Sequence, residues 1–232
     1  MALTVDGIRR IHLGRFVRPP EETGTGQPRV EDVFGYLVRH DEGLVLLDTG
    51  IGAADDETEA WYRPRRIPLA EALAVTGQTL DEVAIVVNCH LHFDHCGGNP
   101  LLAGRPVVCQ RRELETARTT EYTVTELIDH PHVTYEEIDG EVELLPGLLV
   151  MPTPGHVDGH QSLVVRCSDG TVVLAGQSHE TASDFAADVR AVEARGEGFS
   201  DPLPSAPAWL PRLLELDPAR VYFAHDAAVW HP

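Results

Sequence analysis

The sequence predicts a mixed α+β fold that is built largely from β-hairpins. Short apolar runs typical of strands recur along the chain, and turn signals such as Asp139-Gly140 and Pro146-Gly147 separate several of them. Segments with helical spacing, at 111–118 and 181–195, lie between these runs. The 232 residues are 43% hydrophobic, which is enough for a substantial core, and no break in composition divides them. We therefore expect one domain spanning residues 1–232.

The N-terminal part of the chain is predicted to contain strands and one long loop. Residues 3–17 have the pattern of one or two strands, and residues 18–28 form the loop. Consecutive prolines and spaced glycines prevent the loop from continuing a helix or a central strand. A loop of this length is either plain surface or a functional flap, and the sequence leaves both open. Residues 33–38 and 44–47 form a predicted hairpin, whereas the charged stretch at 53–66 has no regular pattern.

The remaining predicted elements are helices and short strands. Pro68 suits the first turn of a short helix, which Thr76-Gly77-Gln78 ends. Thr181 or Ser183 would cap the helix at 181–195. The other predicted strands are at 83–87, 106–109, 135–138, 141–145, 148–152, 161–166, 171–175 and 220–223, and a last helix is predicted at 205–216.

Composition excludes some classes of partner. The chain has 37 acidic and 18 basic residues, and its formal net charge of −19 would repel a phosphate backbone or an anionic membrane surface. We therefore expect neither nucleic acid nor a membrane as a partner. The start of the chain lacks a basic region followed by a long apolar stretch, so we expect a cytoplasmic protein. The sequence leaves the oligomeric state, including a homodimer, open.

A metal-binding motif follows the predicted strand at 83–87. The six residues His90-Leu91-His92-Phe93-Asp94-His95 contain three imidazoles and one carboxylate, which are ligand types that zinc prefers. In a chain that leaves a strand, His90 and His92 project to the same side. Asp94 and His95 then turn towards a neighbouring position, and this geometry predicts two adjacent ions.

The same residues carry a resemblance to a known family. His90-x-His92-x-Asp94-His95, followed by Cys96-Gly97-Gly98-Asn99, resembles the signature of the metallo-β-lactamase superfamily, and the longer string is similar to its N-acyl homoserine lactonase branch. Further matching blocks, in the order of the family, are Asp48-Thr49-Gly50, Thr153-Pro154-Gly155-His156, Gly159-His160-Gln161-Ser162 and Ala224-His225-Asp226. The resemblance implies a four-layer αββα sandwich, with two mixed sheets face to face and helices outside. The residues alone support only a mixed α+β fold.

The resemblance also implies a set of metal ligands. His90, His92 and His156 are assigned to a first ion, and Asp94, His95 and His225 are assigned to a second, with Gln177 between them. These ligands suit Zn²⁺, as one or two ions, and also tolerate iron, manganese or cobalt. A supporting role beneath the metal site is expected for Asp48, with a plain turn residue as the alternative, and His160 would form hydrogen bonds near the sheet.

Two positions depart from the pattern of the relatives. Gln177 stands where relatives usually place an aspartate that bridges both ions, and an amide supplies no negative charge. Gln177 could be a weak ligand in a dinuclear site, His179 or Glu180 could substitute, or one ion could be held only partly. We favour a dinuclear site of lowered affinity. Glu180 stands where lactonases place a tyrosine, and a carboxylate cannot donate to a lactone carbonyl unless it is protonated.

The expected function is that of a metal-dependent hydrolase. A metal-bound hydroxide would open a lactone, such as an acyl homoserine lactone, or cleave a small carboxylic ester. Asp94 would orient the water and pass its proton to the leaving alkoxide. One alternative is hydrolysis of a β-lactam or a thioester. The other is a metal-dependent sensor whose catalysis is weakened by Gln177. Trp61, Tyr62, Phe199 and Trp209 are candidates for the apolar lining of a substrate pocket. Packing in the core is the alternative for each of these side chains.

Overall fold

Two mixed β-sheets form the centre of the protein in this computed structural model, which describes residues 3–120 and 122–232. The first sheet contains β1 (Ile8–Arg18), β2 (Arg29–His40), β3 (Gly43–Leu47), β4 (Arg65–Arg66), β5 (Val83–Val87), β6 (Pro106–Gln110) and β7 (Thr134–Ile138). Its strand order is β4-β1-β2-β3-β5-β6-β7. The pairs from β4 to β3 are antiparallel, and the pairs from β3 to β7 are parallel.

The second sheet is mostly antiparallel. It contains β8 (Val142–Leu145), β9 (Leu148–Pro152), β10 (Gln161–Cys167), β11 (Gly170–Leu174), β12 (Pro218–Tyr222) and β13 (Val229–Trp230). Its strand order is β13-β12-β11-β10-β9-β8, and only β11 and β12 pair in parallel.

Helices cover the outer face of each sheet. They are α1 (Asp56–Tyr62), α2 (Leu69–Val75), α3 (Phe93–Cys96), α4 (Arg111–Thr119), α5 (Thr125–Ile128), α6 (Ala182–Gly196) and α7 (Leu210–Leu214). Thr181 caps α6, since its side chain accepts a hydrogen bond from the backbone N–H of Asp184. Along the described ranges, we find no helix with the length and apolar character needed to span a membrane.

Strands buried on both faces make this a layered structure. In β3, Val45 and Leu47 pack between the two sheets, while Leu44 and Leu46 pack against the outer helices of the first sheet. In β10, Val164 faces the other way, towards α6 and α7. Three apolar cores therefore separate four layers, and the predicted αββα sandwich is confirmed.

The hairpin predicted at 33–38 and 44–47 is confirmed by β2 and β3, and the strands predicted at 106–109 and 135–138 are confirmed by β6 and β7, whereas two predicted segments differ. The stretch at 53–66 contains α1, because the Asp55 carboxylate accepts hydrogen bonds from the backbone N–H groups of Glu57 and Thr58 and so caps a helix. The helix predicted at 205–216 is shortened to α7. Pro207 and Pro211 lack the N–H group that a longer helix would need, and α7 begins only after Pro207.

The loop between β1 and β2 is fastened to α1. One carboxylate oxygen of Glu22 accepts hydrogen bonds from the indole Nε1 of Trp61 at 3.1 Å and from the hydroxyl of Tyr62 at 2.9 Å. Arg18, at the start of the loop, lies 3.8 Å from the other oxygen of Glu22. These contacts hold the loop against the helix that follows the first hairpin.

Candidate metal centre

The metal motif lies at the carboxyl end of β5, where the chain is held by backbone contacts. The N–H groups of Thr49 and Gly52 donate to the carbonyls of His95 and Phe93, at 2.8 and 2.7 Å. Gly97 packs directly on the segment after β3, and a Cβ atom at Gly97 would lie only 1.9 Å from the backbone nitrogen of Gly52. Only glycine fits there, so the position of the loop that carries the histidines is fixed.

His90, His92 and His156 form the first group of candidate ligands. The Nδ1 atom of His92 lies 2.9 Å from Nε2 of His90 and 3.1 Å from Nε2 of His156. His156 arrives from the second sheet, on the turn that follows β9. Burial lowers the pKa of His92 to about 3 and that of His156 to about 4, and the pKa of His90 is also lowered well below its usual range. These imidazoles are therefore neutral and available as ligands at pH 7.

Asp94, His95 and His225 form the second group. The Oδ2 atom of Asp94 lies 3.4 Å from Nε2 of His95 and 3.5 Å from Nε2 of His225, and these two nitrogens are 3.2 Å apart. Burial alone would raise the pKa of Asp94, but the neighbouring His95 and His225 outweigh it and hold the pKa well below its usual range. The Asp94 carboxyl group is therefore ionised.

The outer ring nitrogens determine which atoms face the centre. Nδ1 of His225 lies 2.9 Å from the backbone carbonyl of Asp32, which can only accept a hydrogen bond, so this nitrogen carries the proton. Nδ1 of His95 donates in the same way to the Asp48 carboxylate at 2.9 Å. The Nε2 atoms of both residues therefore face each other and Asp94. Burial alone would lower the pKa of His95, but Asp94, Asp48 and the other groups around it outweigh burial and raise this pKa well above its usual range, so a bound ion would take the place of the proton on its Nε2 atom.

This arrangement fits a metal ion. Imidazole nitrogens and a carboxylate oxygen that converge on one point are the ligand types of a zinc ion, and a tetrahedral zinc site with bonds of about 2.0–2.1 Å separates its ligand atoms by about 3.3–3.4 Å. The five distances between ligand atoms given above run from 2.9 to 3.5 Å. Each group supplies three such atoms, so the residues present match two neighbouring ions.

Asp48 and Cys89 support both groups from beneath. Asp48 has a φ of 61°, in the left-handed region, and its carboxylate accepts hydrogen bonds from the backbone N–H of Cys89 and from His95. The thiol of Cys89 lies 3.2 Å from Nδ1 of His90 and 3.3 Å from Nδ1 of His95. Burial raises the pKa of the Cys89 thiol to about 12, so it remains protonated. The sequence predicts a supporting role for Asp48, whereas it predicts a small buried side chain for Cys89, with a metal ligand or a redox-sensitive thiol as the alternatives.

His160 has both ring nitrogens engaged in the protein. Nδ1 is close to the hydroxyl and the carbonyl oxygen of Thr153, at 2.8 and 3.1 Å. Nε2 accepts the backbone N–H of Gln177 at 3.0 Å. The predicted hydrogen-bonding role of His160 matches these contacts, and the same contacts fix the backbone of Gln177 beside the centre.

The second sheet also brings Gln177 and Glu180 to the centre, but not His179. Gln177 is buried and donates from its amide Nε2 to Oε1 of Glu180 at 3.2 Å. The Oε2 atom of Glu180 pairs with Arg29. His179 instead bonds to Asp188 of α6 at 3.2 Å and packs against apolar rings, which corrects its predicted place beside the metal ligands.

A cavity of about 1030 Å³ opens above the two groups. His92, Asp94, His156, Gln177 and Glu180 form its floor, and the rings of Phe16, Tyr62 and Phe93, which contact one another, form an aromatic wall. The ring of Tyr122 also lines the cavity. Phe93 is a motif residue that sequence reasoning left without a role, whereas Phe16 and Tyr122 gave no sequence signal. Tyr122 lies over His92 with ring centroids 4.6 Å apart, and its hydroxyl bonds to the buried Glu113.

Three of the four predicted pocket residues lie outside this cavity wall, which corrects their assignment. Trp61 points its indole at Glu22 and is 46% exposed. Phe199 is 63% exposed in the segment after α6. Trp209 donates to the carbonyl of Pro154 at 2.8 Å and packs on the core beneath α6. Only Tyr62 lines the cavity, because α1 turns its ring inward against Phe16 and Phe93.

Comparison with known proteins agrees with this geometry. The sequence model of the metallo-beta-lactamase superfamily matches residues 28–225. The N-acyl homoserine lactonase AiiA of Bacillus thuringiensis subsp. kurstaki is 31% identical over 208 residues, which cover 84% of this chain and 81% of AiiA. The N-acyl homoserine lactonase AttM of Rhizobium radiobacter is 27% identical over 161 residues, which cover 60% of this chain and 61% of AttM.

A solved structure extends the likeness to the whole fold. It is an N-acyl homoserine lactone hydrolase with the product N-hexanoyl-L-homoserine bound at the catalytic metal centre. It superposes with a TM-score of 0.74 at 27% identity and covers 98% of this chain and 95% of its own. The chain therefore belongs to the metallo-β-lactamase superfamily, as a metal-dependent hydrolase related to the N-acyl homoserine lactonase branch.

Proposed function

We propose that this protein is a zinc-dependent lactonase that opens the ring of N-acyl homoserine lactones. One observation carries the proposal: two groups of three ligand atoms converge at the floor of a single cavity of about 1030 Å³. AiiA is an N-acyl homoserine lactonase, and its 31% identity to this chain supports the choice of substrate. Imidazole and carboxylate ligands without a thiolate in either group support the choice of zinc.

His90, His92 and His156 would hold one ion, and Asp94, His95 and His225 would hold the other. Bound at these positions, the ions would supply a water activated at neutral pH and a Lewis acid for the lactone carbonyl. The remaining steps depend on side chains of this chain.

Asp94 has the geometry of a proton carrier. Its Oδ2 atom faces His95 and His225, whereas its Oδ1 atom forms no hydrogen bond to any residue that the structure describes. Because the carboxylate lines the cavity, Oδ1 is free to take the proton of the attacking water. The same oxygen then returns this proton to the alkoxide that leaves when the ring C–O bond breaks.

Glu180 does not replace the tyrosine that lactonases place at this position. Its two oxygens accept from Gln177 and from Arg29, and an ionised carboxylate has no proton to donate. The side chain at position 180 therefore donates no hydrogen bond to the carbonyl oxygen of the lactone.

The aromatic wall suits an acyl chain. Phe16, Tyr62 and Phe93 contact one another with ring centroids 5.3 to 6.5 Å apart, and the small residues Ala53 and Ala54 also line the cavity. Apolar walls beside a few polar groups are typical of sites that bind small ligands.

Hydrolysis of a substrate panel tests the proposal. The zinc-loaded protein is incubated with butanoyl, hexanoyl and decanoyl homoserine lactones, an aryl ester, a thioester and a chromogenic cephalosporin, and proton release is followed by pH-stat. We expect the lactones to be hydrolysed fastest. Asp94→Asn should lower kcat on lactones by about 100-fold or more, the size of a lost general acid–base group. Asp81→Asn, at a side chain that is 97% exposed, is the matched control and should retain activity.

The other outcomes point to other functions. Faster hydrolysis of the cephalosporin or the thioester would replace the lactonase assignment by another hydrolase of the same fold. Tight lactone binding without turnover would indicate a sensor. Elemental analysis in parallel gives the metal and the number of ions per chain, and loading that never exceeds one ion would contradict the dinuclear centre.

A further inference from the structure

We propose that Glu180, held by Arg29, is a positioning residue that fixes the Gln177 amide with its oxygen turned towards the metal centre. In this arrangement Gln177 acts as a neutral oxygen ligand. The inference rests on the proposed metal centre and adds the way in which this chain completes it without an aspartate at position 177.

The orientation of an amide follows from the partner at one of its ends. An ionised carboxylate only accepts hydrogen bonds, so the group of Gln177 that lies 3.2 Å from Oε1 of Glu180 is the NH₂ group. The oxygen of the same amide must then point away from Glu180. Among the residues that the structure describes, none donates a hydrogen bond to this oxygen, although Gln177 is only 2% exposed and lines the cavity. An unpartnered acceptor at the floor of the cavity has the chemistry of a ligand for a divalent ion.

Glu180 is itself held in place by a chain of charges. Its Oε2 atom pairs with Arg29, and Arg29 also pairs with the buried carboxylate of Glu31. Arg18 binds the same carboxylate through two nitrogens, at 2.7 and 2.8 Å. Because two guanidinium groups share Glu31, which is only 3% exposed, the network fixes the position of Arg29 and therefore that of Glu180.

This arrangement accounts for both positions, 177 and 180, at which the chain differs from the pattern of its relatives. The negative charge lost at position 177 reappears three residues later, on a carboxylate in contact with the amide. Glu180 does not need to reach an ion to contribute, since both of its oxygens already have partners. Its hydrogen bond polarises the amide and increases the negative charge on the amide oxygen.

Binding of Co²⁺ to the full-length protein tests the inference without any measurement of activity. Affinity for each of the two ions is measured by competition with a chromophoric chelator, and the visible spectrum of bound Co²⁺ reports its ligands. Glu180→Ala should weaken the less tightly held ion by about 10-fold or more, as other supporting residues of metal sites do. It should also shift the Co²⁺ spectrum to that of Gln177→Leu.

A double-mutant cycle separates orientation of the amide from simple loss of charge. If Glu180 acts through Gln177, Glu180→Ala should change affinity by less than about twofold in the Gln177→Leu background. Equal losses in both backgrounds would overturn the inference, because they would mean that only the charge matters. Wild-type affinity and spectrum in Glu180→Ala would overturn it as well. If Gln177→Leu does not fold, Gln177→Met takes its place in the cycle.

The matched control is Glu126→Ala. Glu126 lines the same cavity and is exposed, but it forms no hydrogen bond or ion pair with Gln177, Arg18 or Arg29. Its removal should leave Co²⁺ affinity unchanged, and an equal loss there would contradict the specific role of Glu180. Failure of the proposed function, in contrast, would appear as a wild-type protein that binds two ions and opens no lactone.

Discussion

Asp48→Asn tests whether the residues beneath the centre determine which histidine nitrogen faces the metal. The Asp48 carboxylate accepts hydrogen bonds from the backbone N–H of Cys89 and from Nδ1 of His95, both at 2.9 Å. Asparagine retains one oxygen and tolerates the left-handed φ of 61°, so the backbone is not strained. With that oxygen on Cys89, the NH₂ group faces His95 and forces its proton from Nδ1 to Nε2. The Nε2 atom can then no longer act as a ligand.

The expected loss is larger for metal binding than for folding. Affinity for the ion at Asp94, His95 and His225 should fall by about 10- to 100-fold, which is about 1.4–2.7 kcal/mol. Exchange of one charged hydrogen bond for a neutral one should lower the free energy of unfolding of the metal-free protein by about 1 kcal/mol.

Metal titration and urea unfolding in a chelator measure the two quantities. Asp217→Asn is the matched control, because Asp217 has a φ of 51° and is exposed. The control should change neither quantity. Two ions bound to Asp48→Asn with wild-type affinity would refute the reasoning.

Further predictions concern packing, pH and the cavity. Gly97→Ala places a Cβ atom 1.9 Å from a neighbouring backbone nitrogen and should lose about 3 kcal/mol or more in urea unfolding, whereas Gly196→Ala, with open space around it, should be neutral or slightly stabilising. Burial lowers the pKa of His156 from 6.5 to about 4, so the unfolded chain binds more protons within this window. The thermal midpoint of the metal-free protein should therefore fall as the pH decreases from 6.5 to 4, and His156→Gln should reduce this fall. Phe199→Ser should keep kcat/KM within about twofold, because a 63% exposed ring outside the cavity contributes little. Tyr62→Ala should raise KM more for decanoyl than for butanoyl homoserine lactone, since its ring lines the cavity; equal KM changes for the two would contradict an acyl-chain role.

Local signals made the first part of the centre predictable. His90, His92, Asp94 and His95 lie within six residues after an apolar strand, so their proximity required no knowledge of the fold. His156 and His225 follow strands of the second sheet, and only the resemblance placed them beside the motif. The structure brings both to the predicted partners.

Contacts between segments that are distant in the chain could not be predicted from the sequence. Arg29 and Glu180 are 151 residues apart, and their pairing depends on how the two sheets face each other. The same holds for Cys89, because a small buried thiol and a thiol that touches two ligand histidines have the same sequence signature. The four pocket aromatics were chosen by residue type, which does not determine the direction of a side chain.

The origin of the ligands has a consequence for unfolding kinetics. Each group takes two ligands from the loop after β5 and one from the second sheet, across 64 residues for His92 and His156 and 130 residues for His95 and His225. Bound ions would therefore cross-link the two sheets, but only after both sheets have formed and docked. Contacts that form late on the folding path slow unfolding and leave the refolding rate almost unchanged. Metal would thus prolong the lifetime of the native state without guiding the chain towards it.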